Sequence, residues 1–343
     1  RVVLSNAGGE DSQAVFAAVA DQVIDVKERR AVNSAGSKRG PVPTRIYTFK
    51  PRSGGNLIYP MWRSRYVSVQ GRPDHHGARR RLVDVTTRSL RELDDDTRIV
   101  VEETSLHIDR DVVPALEDHV RHAARVVVTG APGAGKSGVI AEVAGRLKRA
   151  GSDVLVLMAH TAVDDLSGVD AAQVIADWHG SGPAWLFVDA LDAVREPGDL
   201  RRVRDLIARV VRSGGRWRVV ATCRSYDLRH SPEIGELFSG VPHERFHGEF
   251  AGLSHFAVPK LSDAELAQVG ERAPGLEELR RAATHLADAL RIPFFLRLLG
   301  RLVGSVTRDE MRESGGSRQL LDLDWARAVA KSRHASRAAP RLE

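Results

Sequence analysis

The chain has 343 residues, 42% of them hydrophobic, enough for two or three domains with a sizeable buried core. Lys and Arg number 51 against 45 Asp and Glu, a formal net charge of +6. That permits a nucleic-acid or acidic partner, but arginine is spread along the whole chain and identifies none. A single cysteine, Cys223, excludes an internal disulfide framework and fits a reducing cytosol, and no apolar run approaches the roughly 18 residues of a membrane span. The expectation is a cytoplasmic chain with no membrane partner.

The chain starts at Arg1-Val-Val-Leu4, without an initiator Met and without the basic segment and long apolar run of a signal peptide; it reads as a fragment or a processed product. Helical spacing of Val15, Phe16, Val19, Val23 and Val26 predicts a helix from about Asp11 to Arg30. Residues 33–65 read as loop or linker, punctuated by Gly36, Gly40, Pro41, Pro43, Pro51, Gly54, Gly55 and Pro60, and Trp62, Tyr66 and Val67 hint at a local strand. The basic patch Arg72–Arg81 holds His75-His76 and Arg79-Arg80-Arg81. Adjacent histidines project in different directions and no Cys or second His pair sits at ligand spacing, so a solvated loop is read in preference to a metal site. The arginines read as a solvated basic face in preference to a phosphate contact. No nuclease, protease or deaminase constellation is visible in this part. Arg98–Glu103 looks like a strand. Leu106–Arg110 leads into a helix from about Val112 to Ala124, with Val113, Leu116 and Val120 at helical spacing and Asp111 at its start.

Arg125–Ile140, RVVVTGAPGAGKSGVI, organises the rest. The run Val126–Val128, a glycine-rich turn and a segment with helical spacing carry G-x-x-x-x-G-K-S on Gly130, Gly135, Lys136 and Ser137, the strand–loop–helix context of a P-loop. Glycines let successive N–H groups curl toward phosphate oxygens, and the helix N-terminus adds partial positive charge. The expected nucleotide contacts are Gly130, Ala131, Pro132, Gly133, Ala134, Gly135, Lys136, Ser137 and Gly138. Lys136 should reach the β- and γ-phosphates and Ser137 should ligate Mg²⁺.

Strand and helix then alternate, which predicts a parallel sheet with helices on both faces. The predicted strands are Val126–Val128, Val154–Met158, Trp185–Val188 and Arg216–Thr222. The predicted helices are Ser137–Ala150, Asp170–Trp178 and Leu200–Arg212. After about Leu261 the pattern is helical. Ser262-Asp-Ala-Glu265 is a capping box, and Leu276–Leu290, Phe294–Val303 and Leu320–Val329 read as amphipathic helices. The basic stretch Lys331–Glu343 reads as frayed.

An acid at the C-terminal tip of a buried parallel strand lies beside a P-loop, because ligand sites form at that sheet edge. Asp189 therefore suits the Mg²⁺-holding carboxylate, and Asp192, one turn on, is a candidate for orienting the attacking water. Arg224, at the tip of the next strand, is a candidate sensor of the γ-phosphate. Cys223 reads as a small buried packing residue, with no His placed near it in sequence.

The set GAPGAGKS, LFVDALDA, VVATCRSYD and RIPFFLRLL, on residues 130–137, 186–193, 219–227 and 291–299, resembles the bacterial STAND NTPases, relatives of AAA+ and NACHT proteins. Asp189 and Asp192 match the two acids of their Walker B motif, Arg224 their sensor arginine, and Pro293 the lid proline near adenine. Gln319–Trp325 looks like the helix that follows in a bacterial branch of the group. The resemblance covers about Leu106–Val329. It implies a P-loop α/β core with AAA+-like strand order, in which Arg216–Thr222 lies next to the P-loop strand, followed by a helical lid or winged-helix region. It implies an ATP/ADP switch requiring Mg²⁺, with self-association on ATP binding, a trigger ligand sensed elsewhere, and a role in signalling or antiviral defence. NACHT-type members place Glu where Ala193 stands, so hydrolysis is expected to be slow or to fall to Asp192. Relatives also continue into a long sensor region, which is not visible here.

The expected division is an N-terminal region at 1–105, a P-loop NTPase core at 106–258 and a helical lid at 259–343. Two other functions remain open. Ala193 suggests a nucleotide-binding scaffold without hydrolysis. The basic balance and Arg79–Arg81 suggest an AAA+ ATPase acting on nucleic acid. A P-loop kinase fits less well, since the helical C-terminal third offers no acceptor site.

Overall fold

In the computed structural model the backbone is described for residues 2–6, 23–32, 43–51, 75–313 and 315–338, and side chains for 76–313 and 315–329. The chain divides into two units, Arg1–Arg79 and Arg80–Glu343. The described part of the first unit includes β1 (Val2–Asn6), β2 (Val23–Val32) and β3 (Pro43–Pro51), an antiparallel sheet in the order β1-β3-β2. This corrects two expectations. Residues 23–30 are strand rather than helix, because Val23, Ile24 and Val26 are β-branched and β3 supplies a ladder partner. Residues 43–51 are strand rather than loop: Pro43 and Pro51 stand at the strand's two ends, where proline is tolerated, around the β-forming run Thr44-Arg-Ile-Tyr-Thr-Phe49. The rest of the predicted helix, residues 11–22, and the hinted strand at Trp62–Val67 lie outside the described residues.

The described part of the basic patch, residues 75–81, is not a loop either. His75–Thr97 forms one helix, α1, because Leu82, Val85 and Leu93 supply a buried stripe that outweighs the polar start. The Thr86 hydroxyl accepts from Val156 N–H at 3.0 Å, so the helix covers an edge strand of the main sheet and satisfies its exposed backbone. A hairpin follows, β4 (Ile99–Val101) with β5 (Thr104–Leu106), then α2 (Val113–His122).

From here the elements alternate as predicted. They run β6 (Arg125–Thr129), α3 (Lys136–Arg149), β7 (Asp153–Met158), short α4 (Ala162–Asp165) and α5 (Ala171–Ala176), β8 (Ala184–Asp189), α6 (Pro197–Arg212) and β9 (Trp217–Thr222). Short helices α7 (Ser225–His230) and α8 (Pro232–Leu237) lead to a fifth strand, β10 (His255–Ala257). That strand escaped the sequence reading because three residues carry no periodicity; pairing with β6 creates it. The sheet is parallel throughout, in the order β10-β6-β9-β8-β7. All six residues of β8 are buried, as expected of a strand covered on both faces. The core packs Val126, Val128, Val139, Ile140, Leu147, Trp185 and Phe187 between sheet and helices, and the Trp185 indole N–H donates to the Val120 carbonyl at 3.2 Å.

The C-terminal third holds α9 (Asp263–Arg272), α10 (Pro274–Ala282), α11 (Pro293–Leu302), α12 (Arg308–Glu313) and α13 (Ser317–Ala338). The capping box is present: Ser262 Oγ accepts from Glu265 N–H and Glu265 accepts from Ser262 N–H. The single helix expected over Leu276–Leu290 is instead α10 followed by 3₁₀ turns at Thr284–Leu286 and Ala289–Arg291, a break that buries both Leu286 and Leu290. The last helix continues past Lys331 to Ala338, where fraying was expected. Ile99, Val101, Leu106 and Ile108 pack among Leu261, Leu266, Leu296 and Leu299, so the hairpin shares the hydrophobic core of these helices.

Candidate nucleotide site

The P-loop curls between β6 and α3. Gly133 and Gly135 take φ of +74° and +88°, the left-handed region that glycine enters without penalty. The Lys136 ammonium donates to the carbonyls of Gly130 and Ala131, both at 3.1 Å, so it lies folded along its own loop. Burial pushes its pKa down, opposed by the Asp192 carboxylate. Ser137, in the first turn of α3, donates from Oγ to Asp189 Oδ2 at 2.9 Å.

Strand order brings the acids in. Between the P-loop strand and β8 lies β9, whose last residue, Thr222, joins the two motifs. Its hydroxyl donates to Asp189 Oδ1 at 2.6 Å and accepts from Ala190 N–H at 2.7 Å. Ala190 needs that anchor, since it holds φ 56° and ψ 58°, an uncommon left-handed conformation for a residue with a Cβ. Asp189 is 2% exposed, and burial raises its pKa against the hydrogen bonds from Thr222 and Ser137. Asp192 is turned toward Arg224: Nε lies 2.9 Å from Oδ2 and the Arg224 backbone N–H donates to Oδ1 at 3.1 Å. The Asp192 carboxylate is 6% exposed and the Arg224 side chain 52%. Cys223 is fully buried, and burial pushes its thiol up to about 12, which suits a packing residue.

The start of α11 reaches the loop directly. Phe294 N–H donates to the Gly133 carbonyl at 3.3 Å. A Cβ on Gly133 would meet Phe294 Cβ at 2.5 Å, and one on Gly135 would meet Pro293 Cγ at 3.3 Å. Gly138 is equally constrained, with Thr97 Cγ2 at 2.9 Å from the place of a Cβ. The structure therefore gathers Gly133, Gly135, Lys136, Ser137, Gly138, Asp189, Asp192, Arg224 and Pro293 around one cleft, and Gly130, Ala131, Pro132 and Ala134 do not line it. Its cavity of about 320 Å³ is lined also by Thr97, His107, Arg110 and Arg297.

Sequence reasoning missed three participants. Thr222 looked like an ordinary strand residue, although a hydroxyl at the tip of the strand beside Asp189 was a usable signal. Arg110 was passed over in the lead to α2, yet it is 8% exposed and bonded to Glu265, which is 2% exposed and was read only as a cap. Phe294 is, in the sequence, one apolar position among many.

The residues present fit a nucleotide with Mg²⁺. Gly133 and Gly135 curl the loop through left-handed turns at φ +74° and +88°, and Ser137 and Asp189 offer two hard oxygen donors side by side. Among the described residues no cluster of three or more His, Cys, Asp or Glu side chains forms a separate metal site, and no helix is long and apolar enough to cross a membrane.

A family model described as methylmalonyl Co-A mutase-associated GTPase MeaB matches residues 99–178, under a quarter of the chain. No curated protein matches. Among solved structures, the Walker-type ATPase PABY2304 of Pyrococcus abyssi is 12% identical with a TM-score of 0.36, covering 68% of this chain and 77% of its own. A Rhizobiales Trip13 is 16% identical with a TM-score of 0.34, covering 70% of this chain and 95% of its own. These are distant likenesses, and the parallel sheet and its loop carry the assignment themselves. The chain has the fold and the phosphate-binding loop of a P-loop NTPase.

Proposed function

We propose that the chain binds ATP and ADP with Mg²⁺ in this cleft and uses the γ-phosphate as a conformational signal, in the manner of STAND signalling NTPases, with slow hydrolysis. One observation carries the reading: the first residues of a lid helix, Pro293 and Phe294, rest on the phosphate loop itself, so loop occupancy and lid position depend on each other. The β10-β6-β9-β8-β7 order supports it, since Arg224 stands at the tip of the strand next to the P-loop, where the AAA+ group carries a sensor.

The residues divide the work by their positions. The loop amides of Gly133, Gly135 and Lys136 hold phosphate oxygens, and Lys136 leaves the Gly130 and Ala131 carbonyls to pair with them. Ser137 and Asp189 would hold Mg²⁺, which would supply positive charge to offset that of the phosphates. Thr222 orients Asp189. Asp192 keeps Arg224 in place at the γ-phosphate side of the cleft and can act on a water only after Arg224 turns away from it. Ala193 offers no carboxylate at the next position, which fits slow turnover. Self-association on ATP binding is part of the same proposal.

A second reading, GTP as the nucleotide, is favoured by the MeaB match over residues 99–178. Titration calorimetry with Mg²⁺ decides between them: ATP and ADP bind and GTP does not compete if the first reading holds, and GTP binding tighter than ATP overturns it. Lys136→Ala should abolish high-affinity binding of either nucleotide. Unchanged affinity in that variant would remove the P-loop from the explanation altogether.

A further inference from the structure

The segment His107–Asp111 is tied along the first lid helix, α9. Asp109 N–H donates to Gln268 Oε1 at 3.0 Å, and Gln268 Nε2 returns a bond to the Asp109 carbonyl at 3.1 Å. Arg272 donates to the His107 carbonyl at 2.8 Å, and Asp111 N–H to Glu265 Oε1 at 2.8 Å. Ser262 Oγ donates to Asp111 Oδ2 at 2.7 Å. Arg110 alone of this segment's side chains is also seen to reach the phosphate loop. Its Nε donates to Glu265 Oε1 at 2.8 Å, Nη1 to the Ala134 carbonyl at 3.0 Å and Nη2 to the Pro259 carbonyl at 2.8 Å.

Those acceptors belong to three parts of the protein: the P-loop, the 258–262 connection from core to lid, and α9. The connection is anchored at both ends, by Val258 N–H to the Thr129 carbonyl at 2.8 Å and by Leu261 N–H to the Arg291 carbonyl at 2.7 Å. Arg110 thus clamps a joint. Its bond to Ala134 also has a directional effect. In a planar trans peptide the C=O and N–H point opposite ways, so pinning the Ala134 carbonyl against Arg110 turns the Gly135 N–H away from Arg110. The planar guanidinium, with its fixed fork of donors, can hold three acceptors at once, which a lysine ammonium on a flexible stem does not reproduce.

We propose that Arg110 with Glu265 is a positioning pair that sets the 134–135 peptide for phosphate binding and relays phosphate occupancy to α9 of the lid. This rests on the reading of the cleft as a nucleotide site. Filling the phosphate loop fixes the 134–135 peptide, which fixes Arg110, and through Glu265 and the Pro259 carbonyl strengthens the docking of the lid. Losing the fork leaves both parts folded and uncoupled.

The test uses the full chain with Mg²⁺–ADP, in wild type and in Arg110→Lys and Glu265→Gln. The second variant keeps the shape and an acceptor for Ser262 N–H should the first fail to fold. Backbone hydrogen exchange is followed in α3, behind the phosphate loop, and in α9, alongside calorimetric affinity. In wild type, ADP should slow exchange in both helices. In the variants, ADP affinity should fall about tenfold or more, and ADP should still slow exchange in α3 but no longer in α9. A variant whose α9 responds to ADP as in wild type overturns the relay, even if affinity falls, because the role is then local. If wild type binds no nucleotide, the reading of the cleft fails first and the relay with it, an outcome distinct from binding without coupling.

Discussion

Gly133 offers a direct measure of how firmly the lid rests on the phosphate loop. Gly133→Ala removes no phosphate donor, yet its new Cβ would lie 2.5 Å from Phe294 Cβ and 3.4 Å from Ile292 Cγ2. Ordinary carbon contact needs about 3.5–4.0 Å, so the start of α11 must retreat by roughly 1 Å. Three penalties follow. The left-handed conformation at φ +74° is unfavourable for alanine by about 1–2 kcal/mol. Retreat also stretches the Phe294 N–H bond to the Gly133 carbonyl, worth about 0.5–1.5 kcal/mol. Crowding a packed contact contributes a further ~1–3 kcal/mol. Gly151→Ala is the natural control, because Gly151 has φ +82° with nothing within 4 Å of a Cβ, leaving the backbone term alone. Urea denaturation should show Gly133→Ala less stable than Gly151→Ala by about 1.5–4.5 kcal/mol, with faster exchange of α11 amides in the first only. Two variants within about 0.5 kcal/mol of each other, with equal protection of α11, would refute the claim that the lid is seated on the loop.

The other expectations concern the acid cluster and a half-buried histidine. Arg224→Ala should narrow the ratio of ATP to ADP affinity while leaving ADP binding nearly unchanged; equal ratios in variant and wild type by calorimetry would exclude a γ-phosphate role. Thr222→Val keeps volume but removes the bonds to Asp189 and Ala190, leaving a half-buried N–H unpaired, and should destabilise by about 1–3 kcal/mol. Thr222→Ser should recover most of that loss, and a variant as stable as wild type in urea would show that Ala190 holds its left-handed conformation unaided. His119 packs 5.0 Å from the His243 ring, and burial, assisted by His243, lowers its pKa from 6.5 to about 4. The unfolded chain therefore takes up a proton there that the folded chain refuses, so this site's share of stability is full above about pH 6.5 and shrinks as pH falls toward about 4. His119→Phe keeps an aromatic ring and should flatten the fall in urea midpoint between pH 7 and 5; an unchanged slope would assign acid sensitivity elsewhere.

The phosphate loop, the acid at the tip of β8 and the alternation of strand and helix were legible in the sequence, because each is a local pattern with its own physics. Gly130–Ser137 declares itself by the glycines a tight turn needs, and β8 by a run too apolar for anything but a covered strand. The capping box of α9 was equally readable, since Ser262 and Glu265 satisfy each other's backbone three residues apart. The described residues 23–32, 43–51 and 75–97 misled for the converse reason. Their helical spacing and proline count are local signals that β1–β3 pairing and the burial of Leu82, Val85 and Leu93 override. What only the tertiary structure decided are the long-range bonds. Thr222 meets Asp189 across 33 positions, Phe294 meets Gly133 across the core–lid joint, and Arg110 meets Glu265 across 155. No spacing rule links such residues, because the sheet order and the seating of the lid bring them together only once the whole second unit has folded.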